Sequence, residues 1–164
     1  MAADQEFQQI LNDHAPMIQR IAQTYERRPA LVQEIVQEAA FALWRALPKF
    51  RGDSSMRTFV GRIAHNVCVS HVRKESKSRY DELPEALADP KPLLDVKAEQ
   101  DSRREWLLAA VRELPLSIRP VVTLHLEGFS NLEIADALAL TANNVGVRLN
   151  RGRSQLKARI EASK

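Results

Sequence analysis

Two stretches of this 164-residue chain set hydrogen-bonding and cationic side chains at helical spacing with no acid among them. In the first, Thr58, Arg62, His65, Asn66, Val69 and Arg73 share one arc of a 100° wheel, opposite Met56, Val60, Ile63, Ala64 and Val67. In the second, Asn143, Asn144, Val147, Asn150, Arg151 and Ser154 lie opposite Val145, Leu149 and Leu156. A helix face kept only for solubility usually mixes both signs of charge. An acid-free face of cations and amides suits a polyanion instead. Arginine and lysine neutralise phosphates, asparagine can bridge adenine, arginine can bridge guanine, and an exposed valine can touch a thymine methyl.

No other chemistry is prepared. The four histidines share no metal-ligand spacing with carboxylates, and the single cysteine, Cys68, has no partner for a disulfide. Cys68 at the border of a buried arc reads as inert packing, and His71 as a satisfied core or edge histidine. Gly-rich phosphate loops, nucleophile elbows and paired carboxylates are missing from the sequence. The expectation is therefore a protein without intrinsic catalysis, metal or cofactor.

Composition agrees. Five glycines and eight prolines, with 27% charged and 45% apolar residues, describe a helix-rich chain with too little turn chemistry for a many-stranded sheet. The net charge of +3 hides a pattern: residues 51–80 sum to +5 and 141–164 to +5, while 81–106 sum to −4 and 107–140 to −2. No run of 18 apolar residues predicts membrane insertion, and the opening MAADQEFQQILNDH lacks a basic stretch followed by an apolar one. A cytoplasmic protein is expected.

The elements that must position these faces follow from apolar spacing. Asp4 to Arg28 reads as helix, with Pro16 predicting a kink or a two-helix arrangement. A second helix runs from Ala30 to Leu47, with Val32, Ile35, Val36, Ala39, Ala40, Leu43 and Leu47 on one arc and Phe41 among polar residues opposite. After a loop at Pro48, Gly52 and Asp53, Ser54 or Ser55 caps a third helix over about 56–74. Pro84, Pro90 and Pro92 break the pattern, so 77–102 reads as a linker between modules at 1–76 and 103–164. In the second module Ser102 to Glu105 has capping-box form, and Trp106, Leu107, Ala110, Val111 and Leu114 are its expected core. A helix from about Ser117 to Leu126 carries Pro120 in its first turn. Ser130 to Glu133 forms a second capping box opening a short helix to Leu138, and the turn Ala139-Leu140-Thr141 leads into a final helix over about 142–160. A capped short helix with Ala135 at the close approach, a three-residue turn and an acid-free second helix together have the form of a helix-turn-helix. The fold class expected is all-α, two small helical domains joined by a flexible linker.

At this point the sequence resembles a family. Glu34-Ile35-Val36-Gln37-Glu38, then Leu43-Trp44-Arg45-Ala46-Leu47-Pro48-Lys49-Phe50-Arg51-Gly52-Asp53-Ser54-Ser55, resemble region two of bacterial RNA polymerase sigma factors, in the extracytoplasmic-function (ECF) group of the sigma-70 family. Arg57-Thr58-Phe59 and Arg62 through Val67 continue the likeness, and Val145 through Arg153 resemble region four. Ser70, Pro120 and Gly146 depart from the family's usual residues.

The resemblance implies a promoter-specificity subunit. Glu34, Ile35, Gln37, Glu38, Phe41 and Arg45 would dock on core RNA polymerase. Phe50, Arg51, Ser54 and Ser55 would shape a pocket for the promoter's minus-ten element, with Asn66 reaching into it and Arg62, His65, Arg73 and Lys74 holding the strand's phosphates. Thr141, Asn143, Asn144, Val147, Arg148, Asn150 and Arg151 would read the minus-thirty-five element of promoter DNA. An anti-sigma protein is implied as a further partner. The rival reading is a stand-alone helix-turn-helix regulator, which needs a dimer surface for two half-sites.

Overall fold

In the computed structural model the backbone is described for residues 2–81 and 98–162, and side chains for 2–77 and 102–162; most of the expected linker, with its three prolines, lies outside the described residues. Apolar periodicity in the first half resolves into α1 (Ala2–Gln23), α2 (Pro29–Ala46) and α3 (Met56–Asp81). Their shared core is Met17, Ile18, Ile21 and Ala22 of α1, Val32, Ile35, Ala39 and Leu43 of α2, and Val60, Ile63, Ala64 and Cys68 of α3. The second half folds as α4 (Ala98–Arg112), α5 (Arg119–Leu126), α6 (Asn131–Leu138) and α7 (Ala142–Ala162). Val111, Leu114, Val121, Val122, Leu124, Ile134, Ala137, Val145 and Leu149 bury there. Helix is the sole regular structure among the described residues.

Local chemistry fixes the helix ends. Pro29 opens α2, where its missing N–H is no loss. Ser55 caps α3, its Oγ accepting from the Thr58 amide at 3.1 Å. In the turn after α1, Glu26 is 7% exposed and gathers five hydrogen bonds: from the amides of Arg27 and Arg28, twice from the Arg28 guanidinium, and with His71 Nε2 at 2.9 Å. Burial opposes its ionisation, but hydrogen bonds from Arg28 and His71 outweigh burial and hold the carboxyl down to about 2.

Several expectations need correction. Of the two arrangements expected at Pro16, the two-helix one does not form: α1 runs unbroken from Ala2 to Gln23, and the docking of residues such as Met17, Ile18, Ile21 and Ala22 offsets a local cost of about 3 kcal/mol. Ser102 lies inside α4, which starts at Ala98, so it caps nothing. Trp106 and Leu107 each stay 37% exposed because the core closes over Ala110, Val111 and Leu114. Thr58, expected on the outer arc, is 2% exposed, its hydroxyl accepting from Ser55 Oγ at 3.0 Å.

The two halves are in contact. Thr123 Oγ1 donates to Thr24 Oγ1 at 3.0 Å in a buried position, and Thr24 passes the chain on to the Ile21 carbonyl at 2.7 Å. Arg20 Nε donates to both oxygens of Glu127, at 2.9 and 3.0 Å. Arg112 Nε donates to the Gln23 carbonyl at 2.8 Å, and the Arg119 guanidinium lies 5.4 Å from the centroid of the Tyr25 ring.

Candidate nucleic-acid interface

The helix-turn-helix is built from backbone rules. Ser130 Oγ accepts from the Glu133 amide at 3.1 Å while Glu133 returns a bond to the Ser130 amide at 2.9 Å, completing the expected capping box. Ala139 ends α6 in the left-handed region (φ 56), and the Leu140 amide reaches back to the Ala135 carbonyl at 2.9 Å. Thr141 then caps α7 through the Asn144 amide at 3.0 Å. The resulting groove is lined by Ser117, Ile118, Thr141, Asn143, Asn144, Val147, Arg148 and Arg151. Asn143, Asn144, Asn150 and Arg151 are exposed, and Val147 is 42% exposed. Arg148 is half-buried and braced, donating to Asn144 Oδ1 and to the Ser117 carbonyl, each at 2.8 Å. Bracing of this kind lowers the entropy lost when such a side chain meets DNA.

On α3, Asn66, Arg73 and Lys74 are exposed. Arg62 is tied to α6, its Nη2 donating to the Asp136 carbonyl at 3.0 Å and lying 3.4 Å from the Asp136 carboxylate. His65 differs from the cationic contact expected of it. Its ring is half-buried with Nδ1 enclosed and unpartnered, and burial, then the neighbouring Arg73, push its pKa down to about 4. It is neutral at ordinary pH and can supply hydrogen bonding but no charge. The loop before α3 turns at Gly52 (φ 79), where nothing lies within 4 Å of an added Cβ. Phe50 leans on Phe59 with ring centroids 4.7 Å apart, fixing one end of that loop, while Arg51 and Ser55 face outward and Ser54 is half-buried.

A third surface lies on α2. Glu34, Gln37 and Glu38 are exposed, Phe41 is 57% and Trp44 52% exposed, and their ring centroids are 6.3 Å apart. Arg45 stacks 4.6 Å from the Phe41 centroid. Ile35 must be struck from this surface: at 1% exposure it is core, because it shares the arc of Val32 and Ala39. An open groove joins Gln37, Glu38, Phe41, Ala42 and Arg45 to Asn66, Val67 and Ser70, so the α2 stripe and Asn66 border one another.

What the sequence reading missed is the coupling of these faces. Arg57 stacks 4.0 Å over the Phe129 ring and donates to the Glu127 carbonyl. Phe129, an apolar residue immediately after the helix-ending Gly128, was the signal available. Among the described residues no group of three or more His, Cys, Asp or Glu could hold a metal, and no described helix is long and apolar enough to cross a membrane. Cys68 is fully buried, and burial pushes its thiol up to about 12.

Comparison with known proteins agrees with this geometry. Residues 10–78 match the model of sigma-70 region 2, and residues 104–156 match the model of sigma-70 region 4. The ECF RNA polymerase sigma factor SigE of Mycolicibacterium smegmatis is 29% identical over 161 residues, covering 95% of this chain and 62% of that protein. The ECF RNA polymerase sigma-E factor of Escherichia coli is 27% identical over 145 residues, covering 79% of this chain and 74% of its own. SigG of Mycobacterium tuberculosis is matched over 40% of its length, so the chain spans less than two thirds of the first relatives it resembles. The sigma factor RpoE of Bartonella quintana, solved with the anti-sigma factor NepR, superposes with a TM-score of 0.73 at 19% identity, covering 97% of this chain and 99% of that one. CnrH, solved with the cytosolic domain of CnrY, gives 0.74 at 23% identity, covering 98% and 91%.

Proposed function

We propose, for a chain that belongs to the extracytoplasmic-function group of the sigma-70 family, that it directs promoter recognition and melting as a dissociable subunit of bacterial RNA polymerase. The observation that carries this is the succession of two family regions, each bearing a helix with one acid-free, cation-bearing face, with a partly exposed aromatic pair beside the first.

Each surface has a task that its chemistry suits. Phe41 and Trp44, rimmed by Glu34, Gln37, Glu38 and Arg45, have the apolar-centre, polar-rim build of a protein contact and would seat core polymerase. Extruding a base from a duplex costs a few kcal/mol, which a pocket and backbone contacts must offset. The loop from Phe50 to Ser55, with Asn66 nearby, would supply the pocket, and Arg62, Arg73 and Lys74 the backbone contacts. The N-terminal turns of α7 would enter the major groove at the minus-thirty-five element. The protein would act by positioning and strand capture in the cytoplasm, with no catalysis of its own. Two structural neighbours are held by anti-sigma or cytosolic partner domains, which supports a similar protein partner here.

Purified chain, core polymerase and genomic DNA of the source organism test the reading, with transcript starts mapped by sequencing. Chain-dependent starts sharing two upstream elements are expected. Tight duplex binding without polymerase, and no chain-dependent starts, would replace the reading with a stand-alone regulator.

A further inference from the structure

Two side chains on the outer face of α7 are already bonded to each other. Arg148 Nε donates to Asn144 Oδ1 at 2.8 Å across one helical turn, and Arg148 Nη1 donates to the Ser117 carbonyl, also at 2.8 Å, in the turn before α5. Arg148 is half-buried, while Asn144 is exposed. These bonds limit what either side chain can offer a base. A guanidinium grips guanine with two neighbouring N–H groups, either Nε with Nη2 or Nη1 with Nη2. Each of those forks has one nitrogen committed inside the protein.

Asn144 is left with the opposite polarity. An amide that bridges adenine accepts from N6 and donates to N7, so both of its ends must meet the base edge together. Here the oxygen end is pinned by a charged donor, and the planar amide turns its other end, the NH2, away from Arg148. Two N–H donors suit a base edge that shows acceptors, and guanine shows two side by side, N7 and O6. Cytosine, with its N4 donor, is the mismatch. The adjacent Asn143 is also exposed, and its side chain makes no hydrogen bond among the described residues, so it keeps both ends for a base. Neighbouring asparagines thus carry different readouts.

We infer that Arg148 is a positioning residue that reads no base: it holds the Asn144 amide by its oxygen, anchors the pair to the Ser117 carbonyl, and makes Asn144 a donor-only reader of guanine. This rests on the sigma-factor reading and deepens it by one base-pair preference within the minus-thirty-five element.

Holoenzyme reconstituted from core polymerase and the full chain is given a promoter library with that element randomised, and transcripts are counted by sequencing. Asn144→Asp keeps an oxygen for Arg148 and suits the first turn of a helix, so the preference it abolishes locates the base pair. At that pair the wild type should favour G·C over A·T by about 10-fold. Arg148→Met should bring the ratio below about 2-fold and leave the other positions unchanged. Arg148→Gln removes the same charge but places its amide nitrogen as many bonds from the backbone as Nε, so it should hold the ratio within about 2-fold of the wild type. A side chain that merely stabilised α7 would not separate these two variants.

The inference is overturned if Asn144→Asp abolishes no preference, if the pair it locates favours A·T, or if the Met and Gln variants behave alike. It is equally overturned if both variants keep every preference while the slope of log promoter affinity against log salt falls by about 0.9, the mark of a lost phosphate contact. Chain-dependent transcripts with the wrong pattern sink the Asn144 assignment alone, whereas a library that yields none with the wild type sinks the sigma reading and the assignment with it.

Discussion

Gly152 of α7 passes so close beneath Val122 of α5 that an added Cβ would stand 2.5 Å from Val122 Cγ2 and 3.1 Å from Ile118 Cγ2. Helix α7 therefore sits at its depth because position 152 has no side chain. Gly152→Ala should destabilise the protein by about 1–3 kcal/mol through overpacking, despite alanine's better helix propensity. Gly146, with nothing within 4 Å of an added Cβ, is the control: Gly146→Ala should stabilise by up to about 1 kcal/mol. Urea midpoints of the two variants against the wild type decide this, and equal shifts would refute the packing account.

Phe41 and Ile35 stand on one helix with opposite expectations. Phe41→Ala should leave the melting temperature near that of the wild type and weaken core polymerase binding by about 1–3 kcal/mol, as an exposed aromatic anchor does. Ile35→Ala should cost about 2–5 kcal/mol of stability by opening a cavity. Calorimetry and polymerase pull-down on both variants separate contact from core; a stable Ile35→Ala chain that fails to bind polymerase would restore Ile35 to the contact face.

The Glu26 carboxyl has a folded pKa held to about 2 against an ordinary 4.5. A depressed carboxyl contributes stability that is complete above its unfolded pKa and disappears as pH falls through the folded one. The stability gap between wild type and Glu26→Gln should thus be widest near neutrality and close between pH 4.5 and about 2. Denaturation at stepped pH reads the gap, and a gap independent of pH would contradict the network drawn around Glu26.

Salt dependence sorts the α3 face. Arg73→Ala should lower the slope of log affinity against log salt for a single strand by about 0.7, the value of one phosphate contact. His65→Ala should leave that slope unchanged at pH 7, because its ring is neutral above a pKa of about 4. A lowered slope in His65→Ala would mean that the strand itself charges the imidazole.

Much of this was legible beforehand. Apolar spacing placed α2, α6 and α7 within a residue or two, and the Ser130–Glu133 cap and the Ala139 turn formed as the pattern required. Periodicity reports which way a side chain faces within its own module, so it separated Asn143 and Val147 from Val145 and Leu149. It also put Ile35 in the core, where the motif alone suggested a contact. The start of α4 was misplaced because a Ser-x-x-Glu pattern also occurs inside helices, and Ala98 to Asp101 extend the helix past it. The joint between the halves was unreadable. An arginine that stacks on a distant phenylalanine, as Arg57 does, has the same local sequence signature as one awaiting a phosphate.

The sole cysteine has a practical consequence. Cys68 is sealed in the core with its thiol pushed up to about 12, so maleimide dyes at neutral pH will pass over it. A thiol introduced on the surface of either half can then be labelled against a silent background, without first engineering the native one away.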